Sequence, residues 1–350
     1  MSNCLVPEGL EPEAALSRGH WVKLICGASN QDLAAIEDLS GIFALAGVHC
    51  IDAAADPAVV AAIRRGLAWA GARGSGRPWL MLSLSDGADP HFRKAWFDPR
   101  RCPKTCSRPC ERVCPALAVG VAATGEPGVL AERCYGCGRC LPACPHHLIE
   151  ERGQVLAGDG VAPLLAQLRP DAVELHTQPG RGEAFAERVA QLVASGVSLR
   201  RVAVSAGLEG TAQSSRQLAA ELWQRFGVLR REGMLPLWQL DGRPMSGDVG
   251  AGTAAAAVGL AAAVLPLAPP GPVQLAGGTN AHTLLQLAAR APLRRQIAGV
   301  AFGGVARRLL QPLLLEAQHR GRSLLADGLL WPQALRLAQG LVNPWLERVQ

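Results

Sequence analysis

Residues 21–54 read WVKLICGASNQDLAAIEDLSGIFALAGVHCIDAA. An apolar run of strand length, WVKLICGA (21–28), is followed by helically spaced apolar residues over Asp32–Ala46 and then by a second run, GVHCIDAA (47–54). This alternation predicts two parallel strands joined by a right-handed helical crossover, because strands buried on both faces are apolar throughout. Further runs stand at PWLMLSLS (78–85), DAVELHT (171–177), RRVAVSAG (200–207), LPLWQLDG (235–242), GPVQLAGG (271–278) and IAGVAFGG (297–304). Helical spacing fills most intervals, over Pro57–Ala72, Gly182–Ser195, Thr211–Phe226, Asn280–Ala291 and Ala306–His319. Eight strand candidates alternating with helices predict an α/β fold, a (β/α)8 barrel. An open doubly wound sheet, or two α/β domains flanking the long third interval, satisfies the same pattern.

That third interval holds the unusual chemistry. Of eleven cysteines in 350 residues, eight lie between 102 and 144, in the runs CPKTCSRPCERVCP (102–115) and CYGCGRCLPACP (134–145). The second, Cys134-x2-Cys137-x2-Cys140-x3-Cys144-Pro145, has the spacing of bacterial-type ferredoxins, in which three thiolates hold one 4Fe-4S cube and the fourth ligates its neighbour. A zinc site would normally show two C-x2-C pairs separated by a longer loop. Gly136 and Gly138 suit a chain that wraps tightly around a cluster. The first run, Cys102-x3-Cys106-x3-Cys110-x3-Cys114-Pro115, ends identically but has wider gaps. By analogy Cys114 crosses to the cluster of Cys134, Cys137 and Cys140, and Cys144 joins Cys102, Cys106 and Cys110. Pro103 and Pro109 oppose a continuous helix through the first run, which predicts a looser loop and leaves open a labile or 3Fe-4S cluster there. The expected division is a discontinuous barrel domain, 1–96 and 152–350, with an inserted two-cluster ferredoxin-like α+β module at 97–151.

Arg93–Cys144 carries nine basic residues (Arg93, Lys94, Arg100, Arg101, Lys104, Arg108, Arg112, Arg133, Arg139) and four acidic ones (Asp98, Glu111, Glu126, Glu132). Oxidised four-thiolate cubes carry about −2 each, so this excess offsets two clusters, favours their reduced state and suits an acidic electron donor. The net charge of +6 over the whole chain is carried mainly by arginine spread along it, without the basic runs and interleaved aromatics of nucleic-acid binding. No nucleic-acid partner is expected. The amino terminus, MSNCLVPEGLEPEA, lacks a secretory pattern, so a cytoplasmic location is expected and the thiols stay reduced. Ala251–Pro270 is uncharged, but its Ala and Gly content and Pro266 favour a buried helix over a membrane span. Cys26 and Cys50 sit in apolar runs as small buried residues, and Cys4 is expected to be exposed and incidental.

In a barrel, function gathers at the carboxyl ends of the strands. The candidates there are Gly27-Ala28-Ser29-Asn30, Asp52 with Asp56, Glu174 with His176, Asp241-Gly242-Arg243, Gly277-Gly278-Thr279-Asn280 and Gly303-Gly304. The pairs Gly277-Gly278 and Gly303-Gly304 stand where many barrels hold phosphate or flavin on backbone N–H groups, although glycine also simply closes tight turns. His176 and Asp241 are an acid–base candidate pair, and Lys23 is expected as a strand-end residue rather than a buried, paired charge. His146 and His147 are expected at the surface. No P-loop, GxSxG or HExxH occurs, so local motifs assign no catalysis.

Val22-Lys23-Leu24-Ile25-Cys26-Gly27-Ala28-Ser29, then Cys50-Ile51-Asp52 with Ala55-Asp56-Pro57, the double cysteine run and Glu174-Leu175-His176-Thr177 together resemble the cyanobacterial light-dependent period (LdpA) family over nearly the whole chain. The resemblance implies an iron–sulfur protein that reports redox state, and hence light, to the circadian clock and associates with clock-input and core-clock proteins. It carries the cluster ligands onto Cys102, Cys106, Cys110, Cys114, Cys134, Cys137, Cys140 and Cys144. The expected activity is redox sensing with electrons from the photosynthetic pool. The rival reading is an iron–sulfur flavoprotein oxidoreductase with flavin at the barrel mouth.

Overall fold

A computed structural model describes residues 11–121, 125, 127–134, 136–153, 155–208, 211–243 and 250–348. Twelve strands follow in chain order: β1 (Trp21–Gly27), β2 (Cys50–Ala54), β3 (Trp79–Ser85), β4 (Arg93–Trp96), β5 (Val119–Val121), β6 (Pro127–Val129), β7 (Glu150–Gly153), β8 (Ala172–His176), β9 (Arg201–Gly207), β10 (Pro236–Asp241), β11 (Val273–Ala276) and β12 (Ile297–Phe302). Eight of them close a parallel barrel in the order β1-β12-β11-β10-β9-β8-β3-β2. Closure comes from β1 against β12, with Trp21 opposite Gly299 and Leu24 opposite Phe302. The eight expected apolar runs are these eight strands, and the (β/α)8 reading holds over the doubly wound alternative.

The helices that follow β1 and β2 each begin on an aspartate cap. Asp32 accepts the N–H of Ala35 at the start of the helix Leu33–Leu45. Asp56 accepts the N–H groups of Ala58 and Val59 ahead of Pro57–Gly71, whose first residue is a proline. Such caps are each worth about 1 kcal/mol. Ser214 and Gln217 form a reciprocal capping box, which starts the expected Thr211–Phe226 helix later, at Ser215, and it runs on to Arg231. Asn280–Ala291 resolves into two short helices, Thr283–Ala288 and Ala291–Gln296. Ala251–Pro270 contains the helix Ala254–Val264, with Ala254, Ala257, Val258, Ala261 and Val264 buried. Among the described residues no helix is long and apolar enough to cross a membrane. The helix Trp331–Leu346 was not expected, and buries Ala334, Ala338, Leu341, Val342 and Trp345.

The barrel interior is layered. Its floor is apolar, built from Trp21, Cys50, Trp79, Met81, Ala172, Ala203, Leu237 and Ala298. Two residues further along the same strands, on the same face, stand Lys23, Asp52, Glu174 and Gln239, all buried. The strand-to-helix core outside is a separate, continuous apolar cluster. Cys26 and Cys50 are fully buried, and Cys4 lies outside the described residues.

The excursion between β3 and β8 stands on a neck in which β4 pairs antiparallel with β7, Arg93 opposite Gly153 and Trp96 opposite Glu150. Beyond the neck β5 and β6 form a second two-stranded ribbon. Between them lies a small apolar cluster of its own, comprising Ala95, Phe97, Cys110, Ala118, Val119, Cys134, Cys140, Cys144 and Ile149.

Candidate metal centre

The eight cysteines of the two runs occupy this one small lobe, and their local structure repeats. The one-turn helices Pro109–Arg112 and Cys140–Ala143 carry Cys110 and Cys140, and each leads into the run's last cysteine. Cys114 accepts the N–H of Ala118 at 3.2 Å and Cys144 that of Leu148 at 3.5 Å, both four residues on. In both copies the residue before that donor has a left-handed backbone, Leu117 at φ 50° and His147 at φ 50°. Pro115 and Pro145 therefore open equivalent turns that aim backbone N–H groups at sulfur. Ala95 donates to Cys134 at 3.3 Å and Arg108 to Cys106 at 3.4 Å. Hydrogen bonds of this kind favour the charged, metal-binding thiolate.

The thiols sort by their electrostatic neighbours. Burial raises Cys102 and Cys110, and the sulfur of Cys144 adds to both. Burial likewise raises Cys137, with Cys114 and Cys134 adding, and pushes Cys140 up to about 12, with Cys137, Cys134 and Cys114 adding. Cys144 thus lies near Cys102 and Cys110 of the first run, and Cys114 near Cys137 and Cys140 of the second. Thiols packed together in an apolar shell lose their protons only to a cation, which is the donor chemistry an iron–sulfur cluster requires. The residues present fit that cofactor.

The first run is not one helix. A short 3-10 turn, Pro99–Arg101, precedes Cys102, and regular helix begins only at Pro109. In the second run Gly136 and Gly138 adopt φ 77° and 75°. A Cβ on Gly136 would stand 2.2 Å from the carbonyl oxygen of Arg93, so only glycine fits against the neck. His146 and His147 are exposed. Part of the basic excess is already engaged, with Arg93 on Glu151, Arg100 on Asp98 and Arg108 on Glu111.

The barrel mouth holds a second polar constellation. Lys23 is fully buried and pairs with Asp52 at 3.3 Å and, more closely, with Glu174. The strand-end reading of Lys23 is therefore corrected: its side chain points into the barrel at mid-height, where two carboxylates offset its charge. Burial opposes the Lys23 charge, but Asp52 and Glu174 outweigh it and hold the ammonium above its usual range. Burial pushes Asp52 up to about 6, whereas Glu174, set between the cations Lys23 and His176, falls to about 2. Despite burial, Glu174, Asp89 and Asp241 raise His176 to about 9. His176 meets Glu174 at 3.1 Å, Gln239 donates to both Glu174 at 2.7 Å and Asp241 at 3.2 Å, and Ser205 Oγ also donates to Asp241.

Several members of this network were not foreseen from sequence. Gln239 accepts from Gln274 at 2.7 Å, and Gln274 accepts from Trp21 Nε1 at 2.7 Å, so one hydrogen-bonded chain crosses the barrel. Asp89 bonds His91 at 2.7 Å, and the His91 ring lies 4.7 Å from that of His176, tilted by 47°. Alternation of polar residues inside the apolar runs was the available signal for Gln239 and Gln274. Asp52 and Glu174 sit within strands rather than loops, and Asp56 is a helix cap.

The two glycine pairs have different surroundings. Gly277 has φ 65°, and a Cβ there would lie 2.5 Å from the carbonyl oxygen of Arg243. Its neighbour's carbonyl, on Gly278, accepts from Thr253 Oγ1 at 2.6 Å, which ties two loops together. Gly303 precedes the helix Gly304–His319, and Gly304 lines a separate cavity beside the cysteine module.

Comparison with known proteins gives two family matches. Residues 102–155 match the LdpA Fe-S cluster-binding domain, and residues 164–344 match the Light dependent period A C-terminal domain. "Light dependent period A" of Synechococcus elongatus is 46% identical over 343 residues, covering 97% of this chain and 94% of that protein. Among solved structures, tryptophan synthase subunit alpha from Legionella pneumophila covers 96% of this chain and 99% of its own at 10% identity and a TM-score of 0.36, too weak a likeness to argue from.

Proposed function

The chain belongs to the Light dependent period A family, and on that premise we propose that it is an iron–sulfur redox sensor that relays cellular redox state, and hence light, to the circadian clock. The ligands in this reading are Cys102, Cys106, Cys110 and Cys144 for one 4Fe-4S cluster and Cys134, Cys137, Cys140 and Cys114 for the other. What supports it is the nearness of Cys144 to Cys102 and Cys110, and of Cys114 to Cys137 and Cys140, around the apolar cluster of the lobe. Residues 97–151 form the cluster module, and 1–96 with 152–350 form the barrel that presents it. When bound, the clusters supply one-electron chemistry. The chain's own residues orient the thiolates, hold water away with Phe97, Val119 and Ile149, and donate N–H groups to sulfur.

The sensor acts in the cytoplasm, takes electrons from the photosynthetic redox pool and presents its surface to clock-input and core-clock proteins. A change of cluster charge becomes a signal only if a partner binds the two redox states with different affinity. Anaerobic purification tests the reading directly. Two cubes require about eight iron and eight acid-labile sulfide per chain, with an EPR signal after dithionite. Colourless protein without sulfide refutes it. Release of FMN or FAD on denaturation would instead favour a flavoprotein oxidoreductase, with the loops of Gly277, Gly278, Gly303 and Gly304 as its flavin site. For the relay, cells carrying Cys144→Ala should lose the dependence of circadian period on light, and an unaltered dependence refutes it.

A further inference from the structure

A cavity of about 500 Å3 lies in the cleft between the cysteine module and the barrel. Five arginines line it, Arg112, Arg133 and Arg139 from the module and Arg307 and Arg308 from the barrel, and the one carboxylate among its described lining residues is that of Asp32. That carboxylate is committed to capping a helix, through the N–H of Ala35 at 3.3 Å. Arg307 is fixed in place, donating to the carbonyl oxygen of Cys26 at 2.6 Å. Gly304 also lines the cavity and opens a sixteen-residue helix that has no side-chain cap. Its first-turn N–H groups therefore lack the acceptor that a cap would supply. Leu39, Leu314 and Leu315 give the cleft an apolar wall.

Five arginines drawn together from two parts of the chain give the cleft a positive field that attracts an anion. Guanidinium forks match phosphate oxygens in pairs, and an uncapped helix amino terminus adds N–H donors to the same charge. The volume falls within the range of small-molecule sites, about 300–1,000 Å3. We propose that this cleft binds a phosphate-bearing small molecule of nucleotide size, its phosphates on the arginine rim and its ring against the leucine wall.

Cys114 is part of the same lining. On the iron–sulfur reading, which this linkage rests on, the ligand sits beside a cluster whose negative charge grows by one on reduction. The anion then binds the oxidised protein more tightly, and by reciprocity its binding lowers the cluster potential.

The test titrates anaerobically purified full-length protein with ADP and with pyrophosphate by calorimetry, in parallel with the double variant Arg112→Gln/Arg308→Gln. Saturable binding by the parent, weaker in the variant by about tenfold per guanidinium removed and at unchanged iron content, is the expected result. Equal affinity in the variant, or no saturation by either probe, overturns the proposal. In dithionite-reduced protein, each cube having taken one electron, ADP affinity falls on the order of tenfold. The midpoint measured in saturating ADP is then lower by about 59 mV per tenfold. An ADP affinity and midpoint indifferent to one another overturn the linkage. Iron and sulfide analysis of the same samples separates the two readings: colourless protein that still binds ADP in a variant-sensitive way defeats the clusters and keeps the site. Coloured protein without variant-sensitive binding does the reverse.

Discussion

Replacing Lys23 by methionine keeps the volume of the side chain but strips the barrel interior of its central cation. Lys23, Asp52 and Glu174 are each at most 1% exposed, so water cannot take over the role of the ammonium. Breaking a buried pair by removing one partner costs about 3–5 kcal/mol, because the remaining charge is left uncompensated. With an unfolding entropy of about 2.1 cal/mol/K per residue, a chain of 350 residues has a Tm that falls by about 4–7 °C for that loss. The deficit depends on pH with a definite sign. Without Lys23 the buried carboxylates bind protons more tightly folded than unfolded, where their pKa values are about 4. Their destabilisation is then absent below about pH 4 and grows as pH rises through the folded values. Thermal unfolding followed by circular dichroism at pH 8 and pH 5 should show the larger gap between parent and Lys23→Met at pH 8. Adding Glu174→Gln should restore part of the loss. A gap below about 1 °C, or one that ignores both pH and the second substitution, would refute the assignment of Lys23 as the counter-ion of the barrel.

Gly136→Ala places a Cβ against the carbonyl of Arg93 and should strip iron from the cluster of Cys134, Cys137, Cys140 and Cys114, whereas Gly138→Ala, whose nearest neighbour would be 3.5 Å away, meets only the left-handed backbone penalty of about 1–2 kcal/mol. Iron-to-protein ratios of the two variants decide between them. Cys144→Ser should damage the cluster of the first run and spare that of the second, read as selective loss of one EPR signal after dithionite; loss confined to the second run would overturn the crossed ligation. His176 is raised from 6.5 to about 9, so its charged form contributes stability below pH 6.5 that is lost as pH rises through 9. At about 1.4 kcal/mol per unit this is at most about 3–4 kcal/mol, and His176→Gln should flatten the urea-denaturation stability of the protein across that window.

Strand positions were legible because a parallel barrel buries both faces of every strand, and WVKLICG or WLMLSLS advertises that in its composition alone. What lies inside was less legible. Trp21 and Lys23 point inward and Val22 and Leu24 outward, so the polar members of alternate positions read as interruptions in an apolar run. Lys23, Asp52, Glu174, Gln239 and Gln274 come from β1, β2, β8, β10 and β11, and their partnership is set by barrel closure, which no local pattern records. The cysteine spacing was legible for a different reason: ligands three residues apart must wrap a common centre, whatever the rest of the chain does. The left-handed residues Leu117 and His147 carry no such mark. Their conformation follows from the turn after Cys-Pro, and only the repetition of the two runs links them.

The placement of the module explains how a charge on sulfur could be felt by the barrel. Ala95 donates its N–H to Cys134, and the adjacent Lys94 donates to the carbonyl of Ala131 at 2.6 Å and to Gln31 Oε1 at 2.7 Å. Gln31 in turn donates to Asp56 Oδ2 at 2.9 Å and, through its backbone N–H, to the carbonyl of Glu132 at 2.9 Å. Asp56 Oδ1 caps the helix Pro57–Gly71. A short polar relay thus joins the sulfur of Cys134 to a barrel crossover, and its cation is Lys94, whose pKa burial lowers against the pull of Cys134 and Glu132. Because β4 and β7 root the module beside this relay, it reaches the loops after β1 and β2, and Asn30 and Asp32, which follow β1, also line the arginine-lined cleft.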